Sequence, residues 1–165
     1  LEIIASDIYS KIESSKPYID LIKSLKNPGM APKHFDEINS LTGIRISLSA
    51  PTNLKGLLAL DIMSFKDSIA EVADRASQEY AIGSTLNKMM NEWEFIELHM
   101  IPYKDTGTSI IKVQDEVLIM LDEHIMNTQQ IGYGPHRATF EESINQWEEK
   151  LKLIQLVLLQ WIKVQ

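Results

Sequence analysis

The chain has 165 residues, a formal net charge of −7 and no cysteine. This length suits one domain with its own core, and the absence of cysteine excludes a disulfide framework and thiolate metal sites. The acidic balance argues against a nucleic acid partner, because phosphate binding requires clustered Lys and Arg, and the lack of any run of about 18 apolar residues argues against a membrane partner.

Residues 1–53 are predicted to form helices and a loop. The apolar spacing at the start indicates a helix that stops or restarts at Pro17, because proline has no backbone N–H to donate. The residues that carry this spacing are Ile4, Ile8 and Ile12 before the proline and Ile19, Ile22 and Leu25 after it. An Asn-Pro-Gly run at 27–29 ends this helix. A short helix is then predicted from Lys33 to Leu41, followed by a loop over 42–53.

Residues 54–94 form a long helical region in this prediction. A short helical segment over 54–60 comes first, and apolar residues at helical spacing then mark the longest helix, from Phe65 to Trp93. These residues are Phe65, Ile69, Val72, Ala76, Tyr80, Leu86, Met90 and Trp93. Gly83 is a weak point in this helix, because glycine costs about 1 kcal/mol relative to alanine in a helix interior.

The apolar period changes over residues 95–113, where an antiparallel β-hairpin is predicted. Apolar and polar residues alternate around Met100, and the run 109–113 is rich in β-branched residues. The turn uses Gly107 for a positive φ, and Pro102 is expected at the margin because it cannot donate to a ladder. Ile111 is expected to face the helices that the hairpin covers.

Residues 115–165 are predicted to form two helices. Asp115 is placed to cap the first, which runs from Glu116 to about Gln130, and Gly132-Tyr133-Gly134-Pro135 separates it from the second. The residues of the first helix expected to point inward are Val117, Leu118, Leu121 and Ile125. The whole chain is therefore predicted to be a mainly α, elongated helical bundle, a single helical unit over 1–165 with one small hairpin.

The terminal helix, from Phe140 to Gln165, carries two sets of apolar residues. One set, at alternating spacings of three and four, shares one face and consists of Ile144, Trp147, Leu151, Ile154, Leu158 and Trp161. The second set begins after Leu151 and consists of Leu153, Leu156, Val157, Leu159 and Val164. Such a helix needs packing partners on more than one side. Because no capping residue follows, we expect the sequence to be part of a larger polypeptide, and Leu158, Trp161 and Ile162 to form an interface with it.

A search for catalytic chemistry finds no supporting pattern. The sequence has no GxxxxGK[ST] loop that could hold nucleotide phosphates and no GxSxG nucleophile elbow. The four histidines, His34, His99, His124 and His136, lie on different predicted elements without a metal-binding spacing and are expected at surfaces or interfaces. The run Asp122-Glu123-His124 is expected to be a solvated face with one packing residue. The sequence therefore predicts no catalytic residue, no cofactor and no metal.

Three short runs give the chain a family resemblance. They are Tyr103-Lys104-Asp105-Thr106-Gly107, then Met120-Leu121-Asp122-Glu123-His124 followed by Thr128-Gln129, and last the two tryptophans Trp147 and Trp161 with Lys163-Val164-Gln165. In this order and spacing they resemble the linker region of dynein heavy chains, N-terminal region 2, and among these the axonemal inner-arm type. The resemblance covers most of the chain and is clearest over 65–165.

What the resemblance implies is mechanical. In dynein heavy chains the linker precedes the first ATPase module, lies across the AAA+ ring, and passes on its nucleotide-dependent change of shape to the tail. The implied partners are the rest of the heavy chain with its ring, and other dynein subunits; the implied location is the cytoplasm and cytoskeleton, in the axoneme of the cilium. The alternative, left open by composition and periodicity, is a helical scaffold or interaction module with no motor attached.

Overall fold

The computed structural model describes residues 2–46 and 61–165 of the chain. Its contacts divide the chain into two compact units, Leu1–Ala81 and Ile82–Gln165. Helices dominate both units, and the second also holds a two-stranded antiparallel sheet. The predicted mainly helical fold with one hairpin is confirmed. None of the helices in the described ranges has both the length and the apolar character that crossing a membrane would require.

The first unit begins with helix α1, Glu2–Leu25, which runs through Pro17 without interruption. The predicted break at this proline is wrong. The helix continues because Tyr18, Leu21 and Leu25 lie on one face after the proline and pack into the core of this unit. Burial of that face offsets the single backbone hydrogen bond that the proline ring cannot make.

Helix α2, Pro32–Thr42, extends one residue beyond each end of the predicted helix. It begins at a proline, which needs no N–H in the first turn, and ends at Gly43 in the left-handed conformation, whose N–H donates to the Asn39 carbonyl at 2.9 Å. A 3-10 turn, Ile62–Phe65, then leads into helix α3. The predicted helix over 54–60 and most of the predicted loop over 42–53 lie outside the described residues.

The core of the first unit is formed by apolar residues of α1, α2 and the first part of α3, Lys66–Trp93, together with residues of the segments beside these helices. Its buried members are Leu21, Met30, Phe35, Ile38, Ile46, Ile62, Ile69, Val72, Ala73 and Ala76. The Asn27 amide, in the turn between α1 and α2, donates to the Ala73 carbonyl at 3.1 Å and accepts from the Gly29 N–H at 2.9 Å. This side chain fixes the turn against α3.

Helix α3 has 28 residues and is the predicted longest helix, passing through Gly83 without a break. Gly83 is a close-packing position rather than a weak point, because a Cβ there would lie 3.1 Å from the Phe140 ring. The last part of α3 belongs to the second unit and contributes Leu86 and Met89 to its core.

The hairpin consists of strand β1, His99–Pro102, and strand β2, Ser109–Lys112. Met100 pairs with Ile111, and Pro102 with Ser109 at the end of the ladder, where proline was expected. Gly107 has a φ of 71°, as the predicted turn requires. The strands are shorter than the predicted hairpin, and residues 96 and 98 precede the ladder. Ile111 is buried, as predicted.

Two helices complete the second unit: α4, Asp115–Gly132, and α5, Glu141–Val164, joined by a 3-10 turn at Arg137–Phe140. Gln114 takes the capping position of α4 and its side chain makes no cap hydrogen bond, so the predicted cap at Asp115 is wrong. Asp115 instead begins the helix, where its charge favours the positive end of the helix dipole.

Helices α4 and α5 run antiparallel. The Gln155 amide donates to Asp122 at 3.1 Å, and the Gln129 amide donates to Glu148 at 3.1 Å. The later residue of α4 thus pairs with the earlier residue of α5. Between them lies the core of this unit, whose buried members are Leu86, Met89, Leu121, Ile144, Trp147, Leu151 and Leu158. The inward positions predicted for α4 agree, since Val117 and Leu121 are buried and the other two pack partly on this core.

Candidate interaction surface

Helix α5 turns one apolar face to the core from Ile144 to Leu158. The buried residues on this face are Ile144, Trp147, Leu151 and Leu158, which follow the predicted spacing of three and four. At 100° per residue these four side chains stay within one narrow sector, and Ile154 beside them is partly buried. This face is what holds α5 in the second unit.

The opposite face of α5 changes character halfway along the helix. Before Leu151 it is polar, with the Gln146 amide donating to Glu142 at 3.1 Å. After Leu151 it is apolar and exposed, formed by Leu153, Leu156, Val157 and Val164, which we call the outer stripe. Leu153 is 60% exposed and Val164 83%. An isolated exposed leucine needs no explanation, but four large apolar residues on one helix face make this face a candidate for packing against another protein element.

The three residues predicted to form an interface do not share one environment. Leu158 is 4% exposed and lies in the core of the second unit, seven residues after Leu151 on the same face. Trp161 is 47% exposed and Ile162 is 42% exposed, so both remain open to a partner. The larger apolar surface at this end is the outer stripe, which the sequence placed in the second apolar set of the helix.

A second exposed apolar row lies on α1 in the first unit. Ile8, Ile12 and Ile19 are about half exposed, on the face of α1 opposite to Leu21, which is buried. The sequence had placed Ile8 and Ile12 before a helix break and Ile19 after it. Because α1 is continuous, they form one row along a single helix.

Two of the four histidines are buried: His34, which the sequence did not predict, and His124, which fits the predicted solvated face with one packing residue because Asp122 and Glu123 are exposed. In the second unit the Nδ1 atom of His124 accepts a hydrogen bond from the Trp93 indole N–H at 2.9 Å. Because Nδ1 accepts, the neutral ring carries its proton on Nε2, which lies 3.0 Å from a carboxylate oxygen of Glu92. Both ring nitrogens are satisfied, so His124 joins the end of α3 to α4 as a structural residue.

His34 has a comparable structural role in the first unit. Its Nδ1 atom accepts a hydrogen bond from the Ala31 N–H at 3.0 Å, which satisfies a backbone donor at the start of α2. Its Nε2 atom lies 3.3 Å from Glu79, which also binds the Lys33 ammonium. Burial raises the pKa of Glu79, but the hydrogen bond and charge of Lys33, together with His34, outweigh burial and hold this pKa below its ordinary value.

Across residues 2–46 and 61–165 no three His, Asp or Glu side chains come together as metal ligands. The carboxylate of Glu148, near the middle of α5, is engaged by the Lys152 ammonium and the Gln129 amide, and both lower its pKa against a smaller effect of burial. The exposed apolar residues of α5 are therefore the candidate site that the structure offers.

A family model and the similar proteins found by comparison all concern dynein heavy chains. Residues 2–165 match the family described as "Dynein heavy chain, N-terminal region 2". The chain is 41% identical to dynein axonemal heavy chain 1 of Homo sapiens over 162 residues, and 30% identical to dynein axonemal heavy chain 3 of Homo sapiens over 162 residues. It is 31% identical to dynein axonemal heavy chain 12 of Homo sapiens over 136 residues.

These matches cover most of the chain and a small part of each relative. The first two cover 98% of the chain and the third covers 82%, while each spans 4% of the relative's length. The resemblance to axonemal dynein heavy chains, stated from the short sequence runs, is confirmed. A scaffold outside any motor finds no support among these relatives.

Proposed function

The chain belongs to the dynein heavy chain N-terminal region 2 family, and on that premise we propose that it is a non-catalytic, mechanical segment of a motor's linker. In this role it carries a shape change of the ATPase ring toward the tail of the heavy chain. Its partners are the rest of the heavy chain, including an AAA+ ring that hydrolyses ATP, and its place is the axoneme of a cilium. The observation that carries the proposal is the family match over nearly the whole chain.

Long, well-anchored helices support a mechanical role. At about 1.5 Å per residue, the 28 residues of α3 extend about 42 Å and the 24 residues of α5 about 36 Å. Each is anchored by fully buried side chains, Ile69 and Ala76 on α3 and Leu151 on α5. Because close-packed interiors resist compression, displacement at one end of such a helix is transmitted to the other.

The outer stripe supports a continuing contact with the heavy chain. Leu153, Leu156 and Val164 are spaced by three and eight residues, which repeats on the face of a helix and fits the apolar face of another helix. We assign this surface, with Trp161 beside it, to packing against another part of the same heavy chain; Ile162, which follows buried Leu158 by one helical turn on the core face, extends the contact at the end of the helix. Covering these side chains would remove the largest exposed apolar area of α5 from water.

The proposal is tested by following the position of this segment in the intact heavy chain. A fluorescent protein is inserted between Asp105 and Thr106, in the exposed hairpin turn, and a second fluorophore is placed on the ATPase ring. Energy transfer is expected to change when ATP binds and to return after hydrolysis. The control is the same labelled chain with a ring that binds no ATP. Energy transfer that stays constant in every nucleotide state would overturn the linker role.

A further inference from the structure

The outer edge of strand β2 is closed by a side chain. In the hairpin the Tyr103 N–H donates to the Thr108 carbonyl at 2.9 Å, and hydrogen-bonded pairs alternate along the ladder from that point. The backbone N–H and carbonyl groups of Ile110 and Lys112 therefore point toward β1, whereas those of Ile111 point away from it. Buried backbone groups that find no partner cost free energy, so an open edge at this residue would need one.

The amide of Gln165 meets both groups. Its Oε1 atom accepts from the Ile111 N–H at 2.8 Å, and its Nε2 atom donates to the Ile111 carbonyl at 2.8 Å. A neighbouring strand would offer Ile111 the same pair, one acceptor and one donor. The two residues lie 54 positions apart in the sequence, so this contact is tertiary and not part of a turn.

The position of Gln165 on α5 explains how it reaches the strand. Its N–H donates to the Trp161 carbonyl at 3.2 Å, so its backbone continues the helical hydrogen bonding. It follows Leu151 and Leu158 at intervals of seven and therefore lies on the core face of α5. The hairpin that it contacts has strands of only four residues, and a two-stranded hairpin is marginal in water without further support.

We infer that Gln165 is a positioning residue: its side-chain amide takes the place of a third strand at β2 and fixes the hairpin to the end of α5. The two elements then move as one body. The same contact blocks strand addition at this point of β2, because the groups that would bind another strand are occupied. This inference concerns the second unit alone and stands whether or not the linker role is correct.

The first test measures amide hydrogen exchange at Ile111 by NMR in the 165-residue chain. In Gln165→Ala the protection factor of this amide is expected to fall about tenfold or more, the change that losing one or two hydrogen bonds gives. Gln160→Ala, an exposed glutamine on the opposite face of the same helix, is the matched control and should leave it unchanged. Unchanged protection in Gln165→Ala would overturn the inference.

A conservative variant separates the hydrogen bonds from the bulk of the side chain. In Gln165→Glu the carboxylate can accept from the Ile111 N–H but repels the Ile111 carbonyl, so protection should fall at neutral pH. A protonated carboxyl again offers one donor and one acceptor, so protection relative to the unfolded chain should recover at acidic pH. A loss of the same size at both pH values would show that Gln165 acts through packing alone and would contradict the inference.

The coupling itself is measured by pulsed EPR between spin labels on the hairpin and on α5. The chain has no cysteine, so Ser109→Cys and Lys150→Cys, both at exposed positions, give two unique labels. Lys150 lies 15 residues before Gln165, about 22 Å along the helix, which suits the method. The distance distribution should be narrow with Gln165, broader in Gln165→Ala, and narrow in Gln160→Ala. Equal widths in all three would refute the coupling.

Discussion

Gly29→Ala tests how the turn between α1 and α2 meets α3. A Cβ at Gly29 would lie 2.3 Å from the carbonyl oxygen of Ala76 and 2.9 Å from the Cβ of Tyr80. No real Cβ contact is that short, and the obstructing atoms belong to the helix backbone or lie directly on it, so they cannot rotate away. The turn must instead move off α3, which also stretches the 3.1 Å hydrogen bond from Asn27 to Ala73.

The expected cost follows from these two effects. Overpacking a tight site costs about 1–3 kcal/mol, and the rigid obstruction places Gly29→Ala at the upper end of that range. Loss of the Asn27 hydrogen bond adds about 1 kcal/mol, giving about 4 kcal/mol in total. Because native domains are stable by only about 5–15 kcal/mol, this change should remove much of the stability of the first unit.

Gly43→Ala is the matched control, since it makes the same chemical change in the same unit. Gly43 has a φ of 70°, and no atom of the residues that the structure describes lies within 4 Å of an added Cβ, so among these residues alanine meets backbone strain only. That strain costs about 1–2 kcal/mol. Urea unfolding followed by circular dichroism gives both free energies, and amide exchange over 66–80 shows whether the loss is local to α3. A cost for Gly29→Ala equal to or below that for Gly43→Ala would refute the packing argument.

Two further changes test the core of the second unit and the ion pair in the first. Leu151→Ala should lower the free energy of unfolding by about 2–5 kcal/mol because Leu151 is fully buried. Leu153→Ala should lower it by less than about 0.5 kcal/mol because Leu153 is exposed. Similar losses for the two variants in urea unfolding would contradict the assigned faces of α5. The pKa of Glu79 lies below its ordinary value of 4.5, so the contribution of its charge to stability is complete above that value and is lost as the pH falls through the lower folded value. Glu79→Gln should therefore flatten the fall in stability that urea unfolding measures below pH 4.5, and an unchanged slope would show that the Glu79 charge does not contribute to that fall.

Local periodicity was enough to predict most of the helices and the hairpin that the structure describes. The spacing of three and four located the core face of α5, and alternation followed by Gly107 located the hairpin. These features depend on residues within one or two turns of each other, so they are visible in the sequence. The predicted break at Pro17 was wrong because residues distant in the sequence bury Leu21, and this burial offsets the local cost of a proline inside the helix.

Contacts between distant residues could not be predicted in the same way. Gly29 and Gly83 each pack closely against another element, and nothing nearby in the sequence marks that approach. The burial of His124 depends on Trp93, 31 positions away. For the interface, the sequence showed that α5 has two apolar sets but not which residues the fold covers, so it grouped Leu158, which is buried, with Trp161 and Ile162, which are exposed.

The central claim is that this chain transmits motion and does no chemistry. It is tested most directly by variants of the intact motor that should change movement without changing ATP hydrolysis. Leu153→Asp with Leu156→Asp places two charges on the outer stripe while leaving the buried face of α5 intact. Asn145→Asp, at an exposed position on the polar half of the helix, is the control for added charge. Microtubule gliding velocity and ATP hydrolysis are measured on the same preparation of the full heavy chain.

We expect the double variant to glide much more slowly while the ring continues to hydrolyse ATP, because in the proposed linker role the apolar contact carries the displacement and the ring carries out the reaction. The Asn145→Asp variant should match the unmodified motor in both measurements. Unchanged gliding in the double variant would show that the outer stripe carries no displacement. Abolished ATP hydrolysis with intact folding would place this segment in the catalytic machinery and contradict the claim.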